Sequence, residues 1–248
     1  MEEEMVYGRH AVYELVKAGR PLNKVLFQSD TRGERNQELL GVLRQRNIPY
    51  QFVERQVLDR LSGEQKHQGV LAYRAARDYA EVEDLLALAE SKGEDPFILV
   101  LDEVEDPHNL GALLRTVEAV GAHGVVIPKR RSVALTGIVA KTSAGAVEHV
   151  LVARVSNIVQ TLEALKAKGC WVAGADAQGK DAFTADLSGP RVLVIGSEGK
   201  GLGRLVRESC DELISLPMQG KIASLNASVA GSVLLYEILR QRRGNLND

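Results

Sequence analysis

The chain has 248 residues, of which 45% are hydrophobic and 26% are charged, and its formal net charge is −2. This composition is typical of a globular protein with one large or two small domains. Only 4% of the residues are aromatic, which argues against an extended surface for stacking single-stranded bases. No apolar stretch approaches the roughly 18 residues that a membrane helix needs, so the sequence does not predict a membrane protein.

The two cysteines and the start of the chain indicate the compartment. Cys170 and Cys210 are isolated, and neither has a histidine or cysteine at metal-ligand spacing. We expect both to be reduced thiols in the core. The acidic start, MEEEM, lacks the basic and then apolar pattern of a signal peptide. These features predict a cytoplasmic protein without a metal site.

Residues 1–78 are predicted to form a compact α/β domain, because short amphipathic helices alternate with short strand-like runs. The predicted helices cover residues 7–16, 34–46 and 56–61, and the predicted strands cover residues 24–28, 50–53 and 70–73. The loop 66–69 (KHQG) precedes the last of these strands. We interpret it either as a simple turn or as a contact to RNA.

An acidic segment follows, and we interpret it as a linker. Residues 79–96 hold one lysine and six acids. Val82 and the leucines after it predict a single solvated helix, and residues 91–96 (SKGEDP) have the composition of a hinge. The predicted organisation is therefore a domain of residues 1–78, a linker of residues 79–95 and a second domain of residues 96–248.

In the second domain strands and helices alternate, which favours a mostly parallel sheet with helices on both faces. The predicted strands cover residues 97–101, 124–127, 150–152, 171–175, 192–195 and 213–216. The predicted helices cover residues 110–120, 134–142, 158–168, 202–208 and 227–242. The predicted fold class is thus α/β, with a small second α/β domain at the N-terminus.

A glycine-dense loop interrupts the strand pattern at residues 192–203 (VLVIGSEGKGLG). Bare backbone of this kind allows main-chain groups to touch a flat or charged ligand. A phosphate-binding P-loop is excluded, because Leu202 stands where that motif needs lysine. A dinucleotide-binding fingerprint is excluded as well, since Gly199, Gly201 and Gly203 alternate and Arg204 takes the last position. Another ligand, or turn formation alone, must explain the glycines.

Polar residues gather after several of the predicted strands, and each has an ordinary structural interpretation. Asn109 stands where a helix cap belongs, and Ser224 and Asn226 stand at the start of the last helix. Arg115 taken alone is a surface or salt-bridging residue, and Glu198 a solvated acid near a helix start. Together these residues lie at the carboxyl ends of strands, where open α/β sheets bind their ligands.

Three segments in this order resemble the motifs of the SpoU/TrmH family of RNA ribose 2′-O-methyltransferases, which belong to the SPOUT class. They are residues 109–115 (NLGALLR), 195–202 (IGSEGKGL) and 216–226, which begins LPM and ends SLN. Four further segments are similar to the RlmB branch, which methylates a guanosine of large-subunit (23S) ribosomal RNA. They are residues 7–14 (YGRHAVYE), 67–70 (HQGV), 141–146 (KTSAGA) and 240–243 (RQRR).

The resemblance implies several properties that the residues alone do not. It implies a SPOUT-type sheet with a C-terminal trefoil knot, which is an exception to the rule that chains do not thread their own loops. It implies an N-terminal substrate-binding domain similar to kink-turn-binding ribosomal proteins. It also implies a homodimer that uses S-adenosylmethionine and acts on a folded hairpin of ribosomal RNA.

The resemblance also implies the site residues. The cofactor is expected on backbone between apolar side chains, a suitable environment for adenine. The implied cofactor-binding positions are Gly196, Gly201, Leu216, Met218 and Leu225. The implied catalytic positions are Asn109, Arg115, Glu198, Ser224 and Asn226. Arg115 has two interpretations: a base made by burial and a nearby phosphate, or a charged group that stabilises negative charge, since guanidinium groups stay protonated in proteins.

Contacts to RNA and the reaction itself have alternatives too. Basic side chains that could touch phosphates are Arg9, Arg74, Arg77, Lys129, Arg130 and Arg131. An ordinary solvated surface would explain the same charges. The competing functions are a tRNA 2′-O-methyltransferase of the same family and a non-catalytic RNA-binding factor of ribosome assembly. A nucleotide-dependent dehydrogenase or hydrolase is weakened by the glycine spacings.

Overall fold

The computed structural model describes residues 5–29, 34–63, 65–221 and 224–244. These residues form two compact units. The first comprises the described residues up to Asp78 together with Ala134–Ile138, and the second comprises Tyr79–Val133 and the described residues from Val139 onward. Among the described residues, no helix is both long enough and apolar enough to cross a membrane.

The first unit is a four-stranded sheet with three helices. Its strands are β1 (Met5–Tyr7), β2 (Leu22–Gln28), β3 (Tyr50–Val53) and β4 (Val70–Arg74), and its helices are α1 (Arg9–Lys17), α2 (Glu34–Gln45) and α3 (Arg55–Ser62). The spatial order is β1-β4-β2-β3, and β4 runs antiparallel to both of its neighbours. Phe27 packs with α1 and α2 in one apolar cluster, while Leu26 packs with α3 in another. Adjacent strand residues point to opposite faces, so both faces of this sheet are covered.

The helices and strands predicted for residues 7–73 are confirmed to within a few residues, with one omission. The prediction began a helix at residue 7, but the chain first forms β1, which pairs with β4. Gly8 then turns the backbone with a φ of 94°, donates its N–H to Val70 O at 3.0 Å, and α1 begins at Arg9. A three-residue strand is too short to show a periodic pattern, which explains the omission.

The segment Ala134–Ile138 is held by the first unit. Leu135 is fully buried, and its carbonyl accepts hydrogen bonds from the Ala76 N–H at 2.8 Å and from Asn23 Nδ2 at 3.1 Å. The helix predicted for residues 134–142 begins only at Gly137. The carbonyl of Leu135 accepts these two hydrogen bonds instead of one from a following turn of helix.

The second unit is a parallel α/β sheet. Its strands are β5 (Phe97–Leu101), β6 (Gly124–Pro128), β7 (Val152–Val155), β8 (Trp171–Asp181), β9 (Arg191–Ile195) and β10 (Glu212–Ser215). Its helices are α4 (Val82–Lys92), α5 (Pro107–Val120), α6 (Gly137–Thr142, whose first two residues belong to the first unit), α7 (Ile158–Ala167), α8 (Arg204–Glu208) and α9 (Ala227–Gly244), with a 3₁₀ turn at Ala146–Glu148. The order is β10-β8-β9-β5-β6-β7, and every pairing is parallel. The prediction of a mostly parallel sheet is confirmed.

Helices cover both faces of this sheet. Buried side chains of α4, α7 and α8 pack with Ile98, Val100 and Val194 in one cluster. Helices α5 and α9 pack against each other, and a Cβ at Gly231 of α9 would lie 2.7 Å from Leu113 of α5 and 3.4 Å from Ile195 of β9. The absence of a side chain at Gly231 therefore lets α9 lie close to both elements.

Helix α4 corrects the interpretation of the acidic segment as a solvated helix. Its Leu85 and Ala89 are fully buried, and Leu85 belongs to the core of the second unit. The acidic residues occupy the exposed side of the helix, so the charge count concealed an amphipathic pattern.

Strand β8 is longer than the five residues predicted for it, and a bulge of five residues, 175–179, interrupts its pairing with β10. Leu213 of β10 pairs with Gly174, and the next residue, Ile214, pairs with Lys180. A Cβ at Gly179 would lie 2.5 Å from the backbone of Ile214, so close approach requires glycine there. Such a bulge has no signature in a hydrophobic pattern. The trefoil knot stays a prediction of the resemblance.

The order of the strands identifies where this sheet offers a crevice. After β5 the chain continues to β6 on one side, and after β9 it continues through α8 to β10 on the other. Strands β5 and β9 are neighbours. In open parallel sheets the crevice lies at the carboxyl ends of two such strands, and the loops after Leu101 and Ile195 are at this position.

Candidate functional site at the carboxyl edge of the sheet

The segment after β5 leads directly into α5. Asp106 caps this helix by accepting a hydrogen bond from the His108 N–H at 2.8 Å, and Pro107 occupies the first helical position. This corrects the interpretation of Asn109 as the cap. A proline at the first position and an aspartate before it are strong helix-start signals, and they place Asn109 inside the first turn. Its side chain is therefore available for another role.

Asn109, Glu198 and Asn226 form a closed hydrogen-bonded network. Asn109 Nδ2 donates to Glu198 Oε1 at 2.7 Å, across 89 residues of sequence. Asn226 Nδ2 donates to Asn109 Oδ1 at 3.0 Å and also to Glu198 Oε1. Hydrogen bonds to a carboxylate are stronger than neutral ones. One carboxylate thus joins the start of α5, the glycine loop and the start of α9.

Asn226 has a second role that the sequence predicted. Its Oδ1 accepts hydrogen bonds from the Ser228 N–H at 2.9 Å and the Val229 N–H at 3.3 Å, so it caps α9. The same side chain therefore fixes the start of the helix with its oxygen and the network with its nitrogen. Ser224 is exposed two residues earlier and makes no side-chain hydrogen bond to the described part of the chain.

The glycine loop is a tight hairpin on the end of β9. Ser197 and Gly201 exchange two backbone hydrogen bonds of 3.1 and 3.0 Å, and Glu198 lies in the turn between them. A Cβ at Gly196 would lie 2.2 Å from the backbone carbon of Gly201. Gly199 and Gly201 have φ values of 83° and 67°, which favour glycine. Gly196 and Gly201, both predicted cofactor positions, are thus in backbone contact.

Arg115 does not join this network in the single chain. It lies six residues after Asn109 on α5, which places it about 9 Å further along the helix and on a different face. Its side chain is exposed, and it forms no hydrogen bond or ion pair with any described residue. The guanidinium group is therefore available for a ligand or a second chain.

The other predicted cofactor positions lie after β10 and before α9. Leu216 is half-buried, whereas the apolar side chains of Met218 and Leu225 are 38% and 40% exposed. The backbone N–H and C=O groups of Leu216, Met218 and Leu225 have no hydrogen-bond partner among the described residues. Exposed apolar side chains beside available main-chain groups suit a ligand such as adenine, with its flat face and polar edge. These residues fit the cofactor that the resemblance implies, although no hydrogen bond joins them to the glycine loop.

Asp102 is a residue of this edge that sequence reasoning did not select. It directly follows β5 and is only 6% exposed, and its Oδ2 accepts the Gly203 N–H at 2.7 Å. Burial raises the pKa of this carboxyl group, and the hydrogen bond from Gly203 opposes that effect. The feature of the sequence that could have identified Asp102 is its position immediately after a buried strand.

No group of three or more histidine, cysteine or acidic side chains in the described ranges could hold a metal ion.

The cysteines lie in or against the apolar core. Burial raises the pKa of the Cys210 thiol to about 12 and also raises that of Cys170. Both are therefore protonated at neutral pH and poor nucleophiles.

The predicted RNA contacts have different surroundings. Lys129 is half-buried after β6, and burial lowers the pKa of its ammonium group. Arg131 forms a 3.0 Å ion pair with Glu103, while Arg130 is exposed. In the first unit, Arg9 is half-buried at the start of α1. The loop 66–69 is a turn, with His67 buried and accepting the Gly69 N–H at 3.1 Å.

Comparison with known proteins agrees with this geometry. The SpoU rRNA Methylase family model matches residues 96–236, and the model for RNA 2′-O ribose methyltransferase substrate binding matches residues 5–80. The chain is 52% identical over 242 residues to the "Putative TrmH family tRNA/rRNA methyltransferase YacO" of Bacillus subtilis (strain 168), covering 97% of each protein.

Solved structures show the same fold. The SpoU methyltransferase AviRb of Streptomyces viridochromogenes, in complex with AdoMet, aligns with a TM-score of 0.62 at 24% identity, covering 97% of this chain and 90% of its own. The A. aeolicus TrmH/SpoU tRNA modifying enzyme aligns with a TM-score of 0.54 at 29% identity, covering 66% of this chain and 84% of its own.

The parallel sheet, the network at its carboxyl edge and the substrate-binding match define the class of this protein, an RNA methyltransferase of the SPOUT type. Since the family model covers more than half of the chain and the Bacillus relative nearly all of it, the chain belongs to the SpoU rRNA Methylase family. The resemblance to SpoU/TrmH methyltransferases is therefore confirmed.

Proposed function

We propose that this protein transfers a methyl group from S-adenosylmethionine to a ribose 2′-hydroxyl of RNA, and that its substrate is a guanosine in 23S ribosomal RNA. The observation that carries the proposal is the network of Asn109, Glu198 and Asn226. It joins three segments, distant in sequence, at the edge where parallel sheets bind ligands. Family membership supports the class of reaction, and the segments similar to the RlmB branch support the guanosine substrate.

The cofactor would lie against the backbone of the two late loops. Gly196 and Gly201 on one side, and Leu216, Met218 and Leu225 on the other, are the residues we propose to hold it. The apolar side chains would cover the adenine faces, and the available main-chain groups would bond its edge. When bound, S-adenosylmethionine supplies an electrophilic methyl group on a sulfonium. The similar fold of AviRb, which was solved with AdoMet, supports this assignment.

The protein's own residues would prepare the ribose for attack. A 2′-hydroxyl is a poor nucleophile until its proton leaves. We propose that Arg115 remains charged, binds the adjoining phosphate and stabilises the developing oxyanion. Ser224 and Asn226 would orient the ribose, and Glu198 would fix both asparagines. The exposure of Arg115, without a described partner, supports its assignment to the RNA.

The two units would have different functions, RNA binding and methyl transfer. We propose residues 1–78 as the RNA-binding domain, residues 96–248 as the transferase domain and residues 79–95 as the connecting acidic segment, whose helix packs on the transferase side. The substrate-binding match over residues 5–80 supports the first part. A folded hairpin would be recognised by its shape and 2′-hydroxyls, with Arg9 and the basic residues after β6 on phosphates. We propose ribosomal RNA in the cytoplasm as the substrate, and the name of the Bacillus relative, which includes rRNA, supports the class of RNA.

A homodimer is part of the proposal. Helix α9 exposes Val229, Val233 and Tyr236 at 48%, 38% and 54%, one or two turns apart, and Phe183 lies beside them at 49%. Side chains at this spacing form one apolar stripe. A second copy would cover the stripe, and its Arg115 could then approach the first copy's network.

Transfer RNA is the second candidate substrate, because the Bacillus relative's name includes both RNA classes and the A. aeolicus structure is named a tRNA modifying enzyme. The test is methyl transfer from labelled S-adenosylmethionine to 23S ribosomal RNA, 16S ribosomal RNA and tRNA in parallel. We expect label in 23S RNA. Label only in tRNA would favour the second candidate, and cofactor-independent RNA binding without transfer would favour a non-catalytic assembly factor.

A further inference from the structure

The two ends of the glycine loop are bonded to one residue. The Asp102 N–H donates to Ile195 O at 2.8 Å, just before the loop, and Asp102 Oδ2 accepts the Gly203 N–H at 2.7 Å, where the loop ends. The seven residues between Ile195 and Gly203 carry Glu198 in their turn. Asp102 thus closes the base of the loop whose turn supplies the carboxylate of the network.

The contact has the features of a specific arrangement. A Cβ at Gly203 would lie 3.1 Å from Asp102 Oδ2, so glycine allows the amide to approach closely. The carboxyl group is almost fully buried, and its one hydrogen bond within the described chain comes from Gly203. Burying a carboxylate with a single backbone donor is unfavourable, and the raised pKa of Asp102 reflects that burial. Core packing alone would be served better by an apolar side chain.

We propose that Asp102 is a positioning residue for methyl transfer: it closes the base of the glycine loop and so places Glu198 against Asn109 and Asn226. This inference rests on the proposed function for its effect on rate, but its effect on the loop does not. Glycine-rich backbone has a large conformational entropy, and two hydrogen bonds at one point reduce the conformations open to the loop. Asp102 acts through Glu198 and touches no reacting atom.

Asp211, which lies at the amino ends of the strands and away from the glycine loop, offers a control. Asp211 Oδ2 accepts the Val172 N–H at 2.8 Å, and the Asp211 N–H donates to Val172 O at 2.9 Å. Asp211 therefore also makes one N–H bond and one carboxylate bond to backbone, but both reach Val172, near the amino end of β8, and its Oδ1 lies 3.8 Å from Lys166 Nζ. Replacing either aspartate by alanine removes one carboxylate-to-backbone hydrogen bond, and only one of them supports the glycine loop.

The experiment compares Asp102→Ala, Asp102→Asn and Asp211→Ala with the unmodified protein. Amide hydrogen exchange of residues 196–203 is measured in the free protein, and the single-turnover rate is measured with saturating S-adenosylmethionine and RNA. We expect Asp102→Ala to accelerate loop exchange and to lower the rate by about tenfold or more, the effect of losing a hydrogen bond to a charged group. Asp102→Asn keeps an acceptor oxygen and should stay within about threefold in both measurements.

Asp211→Ala should lower the melting temperature but leave loop exchange and rate unchanged. The proposal is overturned if Asp102→Ala leaves loop exchange unchanged, or if Asp211→Ala lowers the rate equally, since general destabilisation would then explain the loss. If Asp102→Ala does not fold, Asp102→Asn decides, because unfolding or a large rate loss in that variant would contradict an acceptor role. Failure of the unmodified protein to methylate RNA would count against the proposed function, while the exchange data would still decide the role of Asp102.

Discussion

Asn109 donates its side-chain amide to Glu198 at 2.7 Å, although 89 residues separate them in sequence. The bond joins the first turn of α5 to the glycine hairpin after β9. Asn226 bonds both partners from the start of α9. Each of the three motif segments that the sequence suggested therefore contributes one side chain to a single network.

Replacing Glu198 tests the centre of the network. Glu198→Ala leaves two amide donors without their shared acceptor, and we expect methyl transfer to fall by about tenfold to a hundredfold, the effect of losing hydrogen bonds to a charged group. Glu198→Gln retains an oxygen in the same place and should lose less. Single-turnover rates measure both. Glu208→Gln, which removes an exposed pairing with Arg204, is the control, and an equal loss in that variant would contradict the central position of Glu198.

Asn226 allows its two roles to be separated. Asn226→Ser keeps a capping oxygen for the N–H groups of α9 but removes the amide donor, so stability should be retained while methyl transfer falls. Asn226→Ala removes both and should also cost about 1 kcal/mol of unfolding free energy. Thermal melts and transfer rates distinguish the variants. Full activity in Asn226→Ser would show that the donor role is dispensable. Asn157→Ser, which makes the same change at the N-cap of α7, measures the effect on stability of replacing a capping asparagine by serine.

Gly196 is predicted to tolerate no side chain. In Gly196→Ala the new methyl group would lie 2.2 Å from Gly201 backbone carbon, so the hairpin must move. We expect loss of cofactor binding in calorimetry and a stability loss of about 1–3 kcal/mol. Gly41→Ala is the contrasting variant, since a Cβ there meets nothing within 4 Å in the middle of α2, and it should stabilise the protein by about 0.5–1 kcal/mol. Unchanged cofactor affinity in Gly196→Ala would remove that loop from the proposed site.

Much of the architecture could be predicted from the sequence, because buried parallel strands are continuous apolar runs. Strand β5 was predicted at its observed limits, and the helices near α7 and α9 within two residues. The network could not be derived from pattern, because the partners of Asn109 depend on strand order. The bulge in β8 and the buried face of α4 were missed for a related reason: local composition does not report which neighbour an element packs against. The resemblance implied the site residues, whereas the position of Asp102 became evident only from the fold.

Lowering the pH should reduce the stability of the second unit because His123 is buried as a neutral ring. Its side chain is fully buried, with Nδ1 accepting the Phe97 N–H and Nε2 bonded to Glu94. Burial lowers the pKa of this imidazole below its usual value, so the folded state favours the neutral ring. The stability that the neutral ring contributes is fully present above about pH 6.5, the usual pKa of histidine. It is lost as the pH falls through the lower pKa that His123 has in the folded state, because the unfolded chain binds the proton more readily.

Urea unfolding at pH 7.5 and 5.5 measures this effect. The unmodified protein should lose more unfolding free energy between these values than His123→Asn, which cannot bind a proton. His149→Asn, with a histidine outside the core, should resemble the unmodified protein. Equal pH dependence in His123→Asn and the unmodified protein would show that His123 does not contribute.

The apolar stripe on α9 predicts the oligomeric state. Val233→Glu places a charge among Val229, Tyr236 and Phe183 and should convert a dimer to monomers in sedimentation, with loss of methyl transfer. Leu205→Glu alters a leucine on α8 that is 57% exposed, more than Val233, and should leave the dimer intact. A monomeric unmodified protein with full activity would contradict the dimer.

The nature of the methylated product tests the central claim most directly. RNA methylated by the unmodified protein with labelled S-adenosylmethionine is digested to nucleosides, and an alkaline hydrolysate is examined in parallel. Methyl transfer to a ribose predicts label in a 2′-O-methyl nucleoside, protected from alkaline cleavage on its 3′ side, and loss of that label in Arg115→Ala at unchanged cofactor affinity. Label in a base, or undiminished ribose methylation by Arg115→Ala, would contradict the account.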